Sequence, residues 1–342
     1  MPGVGAYIDS LQRSWTRRAD GSSSGSVHVD VAGWRIRIDV TPASGANELG
    51  AAFDPARGPD RAPDLHVRVA LGDPPPVPRE PGWSEHDRLH YRDGRFEIHA
   101  APDSPLSAID HVAARAVCWL PRADLPYWER GAPMRALLAW FALRHASLLL
   151  HAAAVAEDGR AVLLVGSGGA GKTTTALGAW SDGMDYLGDD YVLVRTRPAT
   201  TVARAYATAK VDSRTLTLLP SLTRHGASAP SDSHDDPPSR DKIVLRLAGE
   251  RGLDVAEATI AAVVVPRVAP EARVRRVSAA DALRAAVPSA LFQLPCDRRV
   301  AFPLLADVVR RAPCFVLDTG PDPIRATSLV RGLVHVGDGV AS

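Results

Sequence analysis

One glycine-rich segment limits the possible folds of this chain more than any other part of the sequence. It lies between a short apolar run and a stretch of helical character. The run from Val162 to Val165 is short and apolar, as a buried strand is, and the next eight residues, 166–173, read Gly-Ser-Gly-Gly-Ala-Gly-Lys-Thr. The residues from Thr173 to Trp180 are then expected to form the first turns of a helix. This order of strand, glycine loop and helix predicts an α/β fold.

The loop matches the pattern G-x-x-x-x-G-K-T, in which each part helps to hold a phosphate chain. Glycines let backbone N–H groups approach phosphate oxygens, and the helix N-terminus adds partial positive charge. Lys172 would bring an ammonium group to the β- and γ-phosphates, and the Thr173 hydroxyl would bind Mg²⁺. The residues predicted to hold the nucleotide are Gly166, Ser167, Gly168, Gly169, Ala170, Gly171, Lys172, Thr173 and Thr174. Since no NKxD guanine-binding motif is present, we expect ATP with Mg²⁺.

Composition excludes several classes of protein. With 342 residues, 46% hydrophobic and 23% charged, the chain has the composition of a globular protein and is long enough for two domains. A formal net charge of +1 creates no field that would attract nucleic acid or an anionic membrane. The three cysteines are far apart and fit no metal-ligand spacing. Neither a signal-peptide core nor a membrane-length apolar run is visible, so we expect a cytoplasmic protein.

Patterning divides the chain into a smaller β-rich α+β region, 1–130, and an α/β domain, 131–342. Alternating residues in 27–31 and 34–40 predict a hairpin, and a second hairpin is expected around Asp93-Gly94. The first two dozen residues are expected to be mobile because a Gly/Ser segment follows them. After Leu106 the spacing of apolar residues predicts a helix, on the positions Ile109, Val112, Ala113 and Ala116.

The second domain has further apolar strands and one polar insertion. Strands are expected at 148–150, 185–187, 191–194, 260–265 and 314–317, and a capping box at Ser278 predicts a helix start. The segment 225–240 consists of Ser, Asp, Pro and His with almost no apolar residue, so we expect a mobile loop. Such an insertion is either a lid over the nucleotide or a dispensable loop, and its composition leaves both interpretations open.

Three features together resemble the HPr kinase/phosphorylase superfamily. His151 ends an apolar strand, the phosphate loop follows, and Asp189-Asp190 comes after the loop helix at the end of a short strand. The intervals from His151 to Lys172 and from Thr173 to Asp190 are similar to those of the family. The resemblance covers about 148–331 and implies a P-loop, HPr-kinase-like domain. It is nearest to the divergent kinases that tailor peptide natural products, lasso peptides among them.

The resemblance implies roles for the paired carboxylates and the histidine. By the resemblance, Asp190 would accept the proton of the acceptor hydroxyl. Asp189 lies beside it in sequence and is, on chemical grounds, the candidate for the Mg²⁺ side together with Thr173. His151 would contact the transferred phosphate or hold Asp190, although a lone histidine is also a common hydrogen-bonded core residue. Catalysis is thus assigned to Asp190, His151 and Lys172, with an acceptor hydroxyl, of Ser or Thr, on a peptide or protein. Assembly into a homo-oligomer is one expectation for such a kinase.

The segment after the Asp-Asp pair departs from the family. Bifunctional members carry a metal-binding glutamate there, within an Arg- and Gly-rich signature, whereas 206–215 reads Tyr-Ala-Thr-Ala-Lys-Val-Asp-Ser-Arg-Thr. This difference argues against phosphorylase activity and against HPr as the substrate. Asp212 is a weak substitute ligand. Lys210, Arg214 and Lys242 are candidates for anion contacts, although each is more commonly a solvated surface charge.

Three activities are compatible with the phosphate loop. The first is an ATP-dependent kinase that acts on a peptide or protein hydroxyl, and a small-molecule acceptor is a variant of it. The second is an ATPase or nucleotide switch without an organic acceptor. The third, an enzyme like phosphoenolpyruvate carboxykinase, lacks the second metal-ligand cluster that it needs. Because simple NTPases usually hold Mg²⁺ with one carboxylate, the Asp-Asp pair favours the kinase.

Overall fold

The computed structural model of the protein describes residues 3–56, 61–76, 84–85, 88–101, 104–120, 127–225 and 242–336. Apart from His225, the segment expected to be a mobile loop at 225–240 lies outside the described residues. The chain divides into two compact units, Met1–Arg144 and His145–Ser342. The division falls later than position 130, because the helix Arg135–Arg144 packs against a strand of the first unit, Ser104–Asp110.

The first unit contains four helices and a mixed sheet within the described residues. Its helices are α1 (Val4–Gly21), α2 (Ser44–Gly50), α3 (Tyr127–Gly131) and α4 (Arg135–Arg144). Its strands are β1 (Gly25–Val31), β2 (Trp34–Thr41), β3 (Asp54–Pro55), β4 (Leu65–Leu71), β5 (Ser84–Glu85), β6 (Arg88–Arg92), β7 (Phe96–Ala101), β8 (Ser104–Asp110) and β9 (Arg115–Leu120). The sheet order is β3-β1-β2-β4-β9-β8-β7-β6-β5. Both hairpins expected from the alternation, β1–β2 and β6–β7, are present.

The N-terminal segment is a packed helix, so the expectation that it would be mobile is wrong. Helix α1 buries a stripe that includes Ile8, Leu11 and Trp15, and Leu11 is fully buried. The indole nitrogen of Trp15 donates a hydrogen bond to the carbonyl of Val69 on β4 at 2.9 Å. Apolar residues at 8, 11 and 15 recur at helical spacing, and their burial against the sheet stabilises the helix.

The helix predicted after Leu106 is also wrong, because the segment forms a strand hairpin. β8 and β9 pair antiparallel from Leu106 opposite Trp119 to Asp110 opposite Arg115. Asp110 accepts hydrogen bonds from the backbone N–H groups of Val112 and Ala113, which closes the turn. Apolar residues at 109, 112, 113 and 116 therefore belong to two strands and the turn between them. A short apolar pattern does not distinguish a helix from two strands.

The second unit carries the phosphate loop on a mixed sheet. Its strands are β10 (Ser147–Leu150), β11 (Ala153–Glu157), β12 (Arg160–Leu164), β13 (Asp185–Gly188), β14 (Val192–Arg195), β15 (Thr201–Arg204), β16 (Thr208–Val211), β17 (Ile243–Arg246), β18 (Glu257–Arg267), β19 (Ala272–Val277) and β20 (Cys314–Thr319). Its helices are α5 (Lys172–Ser181), α6 (Ser213–Leu218), α7 (Ala279–Phe292), α8 (Arg298–Arg311) and α9 (Pro323–Val334), and Pro220–His225 forms a 3₁₀ turn. The protein is thus an α/β protein, as expected.

The sheet of this unit holds β12 in its interior, between β18 and β11. The order is β10-β14-β15-β18-β12-β11-β13, and β20 pairs in parallel with the end of β18 while also pairing with β19. Strands β11 and β12 are joined by Asp158 and Gly159, both with positive φ (51° and 74°), the geometry of a tight hairpin turn. β16 and β17 form a separate two-stranded ribbon. Both faces of β12 are covered, and its apolar residues are buried accordingly.

The capping box at Ser278 is also confirmed. The Ser278 hydroxyl accepts a hydrogen bond from the backbone N–H of Asp281, and helix α7 begins at the next residue, Ala279. Among the helices that the structure describes, none combines the length and the apolarity needed to cross a membrane.

Candidate active site

The phosphate loop lies between β12 and α5, where the motif predicted it. Gly171 directly precedes α5, and its φ is +102°. Any residue with a side chain would be strained in this backbone conformation. The buried hydroxyl of Ser289 on α7 donates to the carbonyl of Gly166 at 3.0 Å. The start of the loop is therefore held by α7, and its end leads directly into α5.

Lys172 is folded back onto the loop that contains it. Its ammonium donates hydrogen bonds to the carbonyl oxygens of Gly166 and Ser167, at 2.8 and 3.0 Å. Burial lowers the pKa of Lys172, although the charges of Asp189 and Asp190 oppose that effect. The side chain is thus a buried cation whose two acceptors are carbonyl oxygens of the phosphate loop.

Thr173 and Asp189 bring the loop helix and the end of β13 together. The Thr173 hydroxyl donates to Oδ1 of Asp189 at 3.0 Å. The other oxygen of that carboxylate, Oδ2, is buried and has no hydrogen-bond partner among the described residues. Burial raises the pKa of Asp189, and the neighbouring charge of Asp190 raises it further. The Thr173 hydrogen bond, the backbone N–H of Asp190 and the charge of Lys172 oppose this rise.

This arrangement fits a magnesium ion. A buried carboxylate oxygen without a partner is costly unless a cation neutralises it. Mg²⁺ prefers oxygen ligands and is usually held by one or two protein groups together with nucleotide phosphates. Thr173 and Asp189 supply such groups beside the phosphate loop. No cluster of three or more His, Cys, Asp or Glu side chains that could hold a metal occurs in the described parts of the chain.

Asp190 projects from an unusual backbone position and contacts two basic side chains. Its φ is +67°, in the left-handed region that few residues other than glycine adopt, although Asp and Asn tolerate it better than most. Nε2 of His151, which directly follows β10, lies 3.3 Å from Oδ1, and Nζ of Lys210 on β16 lies 2.6 Å from Oδ2. Each oxygen of this carboxylate therefore faces a nitrogen.

These contacts determine the charge of Asp190. Burial alone would raise the pKa of this carboxyl, but the charge of Lys210 and the hydrogen bonds from His151 and Lys210 hold it well below its usual range. Although the two residues are adjacent in sequence, the pKa of Asp189 is raised above the ordinary value and that of Asp190 is lowered below it. Divergent pKa values in neighbouring carboxyls are typical of groups with different roles.

All of these groups line one cleft of about 240 Å³. It is lined by residues 168–175 of the loop and helix and by Thr319, Gly320, Pro321 and Pro323. Its lining also contains the basic and acidic side chains His151, Lys172, Asp189, Asp190, Lys210, Asp212, Arg214 and Lys242. The structure therefore brings together every predicted catalytic and metal residue. The same cleft also contains the three basic candidates, Lys210, Arg214 and Lys242.

Asp212, the weak substitute ligand, caps a helix at the edge of the cleft. Its carboxylate accepts a hydrogen bond from the backbone N–H of Thr215 at 2.7 Å and caps helix α6. The Thr215 hydroxyl lies 3.1 Å from that of Thr174, so the capped helix contacts the first turn of α5. Asp212 thus has a structural role beside the cleft.

Sequence reasoning missed two parts of the site. It named Lys210 as a candidate contact but treated it as more commonly a solvated surface charge, whereas the side chain is buried and paired with Asp190. The alternation of Thr208, Ala209, Lys210 and Val211, which forms a strand, was the available signal for an inward-facing lysine. Ser289 lies more than a hundred residues beyond the loop that it supports, and no motif marks it.

Comparisons with known proteins add little to this geometry. No family model matches the chain, and no curated protein matches it. Among solved structures, the chain is similar to the HPr(Ser) kinase/phosphatase from Coxiella burnetii, with 11% identity and a TM-score of 0.29 over 54% of this chain and 94% of that one. A similarity at this level is too low to assign an activity, so the functional conclusion depends on the site.

Proposed function

We propose that this protein is an ATP-dependent phosphotransferase that moves the γ-phosphate to a Ser or Thr hydroxyl of a peptide or protein. One observation carries the proposal. A phosphate loop, a metal-compatible Thr173–Asp189 pair and a second carboxylate, Asp190, with two basic partners line the same cleft. The first two groups serve to bind Mg-ATP, and the third is what a hydroxyl acceptor requires.

The chain's own residues account for the steps that transfer needs. Loop N–H groups and Lys172 would bind the β- and γ-phosphates, and Mg²⁺, when bound, supplies further charge neutralisation. The acceptor oxygen forms a bond to the γ-phosphorus as the bond to the bridging oxygen of ADP breaks. His151 and Lys210 hold the carboxylate of Asp190 in place to orient the acceptor hydroxyl. This weakly basic carboxylate takes the proton late, as the new bond to phosphorus makes the hydroxyl acidic.

The second carboxylate also weighs against a simple nucleotide switch. Such proteins hold Mg²⁺ through one acidic side chain, and Asp189 would already serve that purpose. Asp190 would then have no role, yet it occupies a strained left-handed conformation and has two basic partners. Strain of this kind is commonly found at functional sites. The resemblance to tailoring kinases supports a ribosomally made peptide as the acceptor.

The proposal is tested by offering Mg-ATP and a library of Ser- and Thr-containing peptides to the purified protein and to two variants. We expect phosphopeptides with the wild type, detected by mass spectrometry. Asp190→Asn should bind ATP with similar affinity but lose phosphopeptide formation by 10²–10⁴-fold, the usual effect of a removed general base. Asn is the suitable replacement because it tolerates the positive φ of this position.

Lys172→Ala serves as the control for any contaminating kinase. Loss of phosphopeptides in both variants would support the proposal. Equal ATP hydrolysis by the wild type and Asp190→Asn, without any phosphopeptide, would instead identify an ATPase or a nucleotide switch.

A further inference from the structure

The two adjacent carboxylates of the cleft are neutralised in different ways. Oδ2 of Asp189 has no partner among the described residues, whereas both oxygens of Asp190 face nitrogen atoms. A metal ion can therefore reach Asp189 without displacing a protein group. To reach Asp190, a metal ion would have to displace the ammonium of Lys210 or the imidazole of His151.

Lys210 is fixed in its position by the β16–β17 ribbon. It lies opposite Val244 in the antiparallel register, and its side chain is about nine-tenths buried. A buried ammonium group needs a nearby negative charge, and Asp190 provides one at 2.6 Å. Unlike a dissolved ion, this cation is covalently attached, so its local concentration does not depend on the medium.

We propose that this cleft binds a single divalent cation, on the Thr173–Asp189 side, and that Lys210 occupies the place beside Asp190 where a two-metal site would hold its second ion. Two-metal phosphoryl-transfer sites keep their ions about 3.5–4 Å apart, next to shared or adjacent carboxylates. The pair Asp189-Asp190 would suit such a centre if both carboxylates were open. The Lys210–Asp190 contact closes the second position by charge, because the ammonium already neutralises the carboxylate that a second ion would need.

This inference rests on the proposed function only in that ATP supplies the remaining metal ligands. It is tested without catalysis, by equilibrium dialysis against Mn²⁺ with a non-hydrolysable ATP analogue at equal concentration in both chambers. We expect one Mn²⁺ to be retained for each wild-type chain. Lys210→Met removes the ammonium and leaves Asp190 open, so we expect a second, weaker Mn²⁺ to bind.

Three further variants control the measurement. Lys210→Arg keeps the positive charge and should retain one ion. The double variant Lys210→Met/Asp190→Asn removes the carboxylate that the second ion would need, and it should return to one. Asp189→Asn alone should lose the first ion. Circular dichroism and nucleotide binding, recorded on the same samples, show that each variant is folded and loaded.

Two results would overturn the inference. The first is two Mn²⁺ ions on each wild-type chain, a measurement that does not depend on any variant being folded. The second is a single ion on folded, nucleotide-loaded Lys210→Met. Neither result depends on phosphoryl transfer, so a failure to find an acceptor peptide would count against the kinase and not against the metal stoichiometry.

Discussion

The Thr173 hydroxyl donates a hydrogen bond to Oδ1 of Asp189 at 3.0 Å, and this contact joins the first turn of the phosphate-loop helix to the end of a neighbouring strand. The same carboxylate keeps its second oxygen buried and unpartnered among the described residues. In the absence of a cation, the folded protein therefore carries an incompletely compensated charge. A site of this kind is organised for its ligand at some cost in stability.

Asp189→Asn is expected to stabilise the ligand-free protein while weakening its response to Mg²⁺. Removing the buried charge relieves its desolvation cost, but the amide N–H group then takes the place of the unpartnered oxygen, so we expect a gain of about 1 kcal/mol. Thermal unfolding should show a higher midpoint for the variant without ligand and a smaller upward shift on addition of Mg-ATP. A lower midpoint without ligand would contradict the metal assignment, since it would mean that the carboxylate is already well compensated.

Lys172→Ala should abolish the stabilisation of the protein by nucleotide. At about 100 times the dissociation constant, a ligand that binds only the folded state stabilises it by about 2.7 kcal/mol. The variant loses hydrogen bonds to two loop carbonyls but also a buried charge, so its ligand-free midpoint should change little. Differential scanning fluorimetry with and without Mg-ATP measures both quantities. A full ATP-induced shift in Lys172→Ala would exclude the loop as the phosphate site.

His151 should contribute less to turnover than Asp190, because it acts on the carboxylate and not on the acceptor. Nε2 of His151 lies 3.3 Å from Asp190, and the ring packs edge-on against Tyr191. We expect His151→Ala to reduce phosphopeptide formation by roughly tenfold, the equivalent of one hydrogen bond, and His151→Gln to lose less. ATP affinity should not change. Losses as large as those of Asp190→Asn would mean that the imidazole contacts the reacting groups itself.

In the first unit, Asp39 should make the stability of the protein depend on pH. Burial alone would raise its pKa, but hydrogen bonds from His66 at 2.7 Å and Arg37 at 2.9 Å hold it well below the ordinary value. Because the folded pKa is depressed, the carboxylate stabilises the fold above the unfolded pKa of about 3.9, and this contribution is lost as pH falls below that value.

The unfolding midpoint of the wild type should therefore fall more steeply below about pH 4 than that of Asp39→Asn. The matched control, Asp20→Asn, changes an exposed aspartate near the end of α1. It should follow the wild type across the same range. Parallel curves for all three proteins would exclude a role for Asp39.

The phosphate loop could be predicted from local sequence, because its glycines and the start of the following helix fix its backbone geometry. The motif predicted Thr173 as a Mg²⁺ ligand, and the chemistry of the adjacent carboxylates suggested Asp189 for the same side. The structure places the Thr173 hydroxyl and Oδ1 of Asp189 3.0 Å apart. The helix start at Ser278 was predictable for the same reason, as a side chain that caps its own backbone needs no distant partner.

Elements that depend on distant partners were harder to predict. The apolar spacing at Ile109 and Val112 fits a helix, but pairing with neighbouring strands decides the conformation. Helix α1 was predicted to be mobile because the Gly/Ser segment can be recognised in the sequence, whereas the sheet that buries Leu11 cannot. Lys210 is paired with a carboxylate twenty residues away in sequence, and only the folded ribbon brings the two together.

The contacts of Lys172 have a consequence for the heat of nucleotide binding. Its ammonium already donates to the carbonyls of Gly166 and Ser167, so it can reach a phosphate only by giving up or sharing those bonds. Binding is then an exchange of acceptors, and the enthalpy recorded by calorimetry is a difference between old and new hydrogen bonds. Freed loop carbonyls must find water or another donor, so the favourable heat from this lysine is small even when its contribution to specificity for phosphate is large.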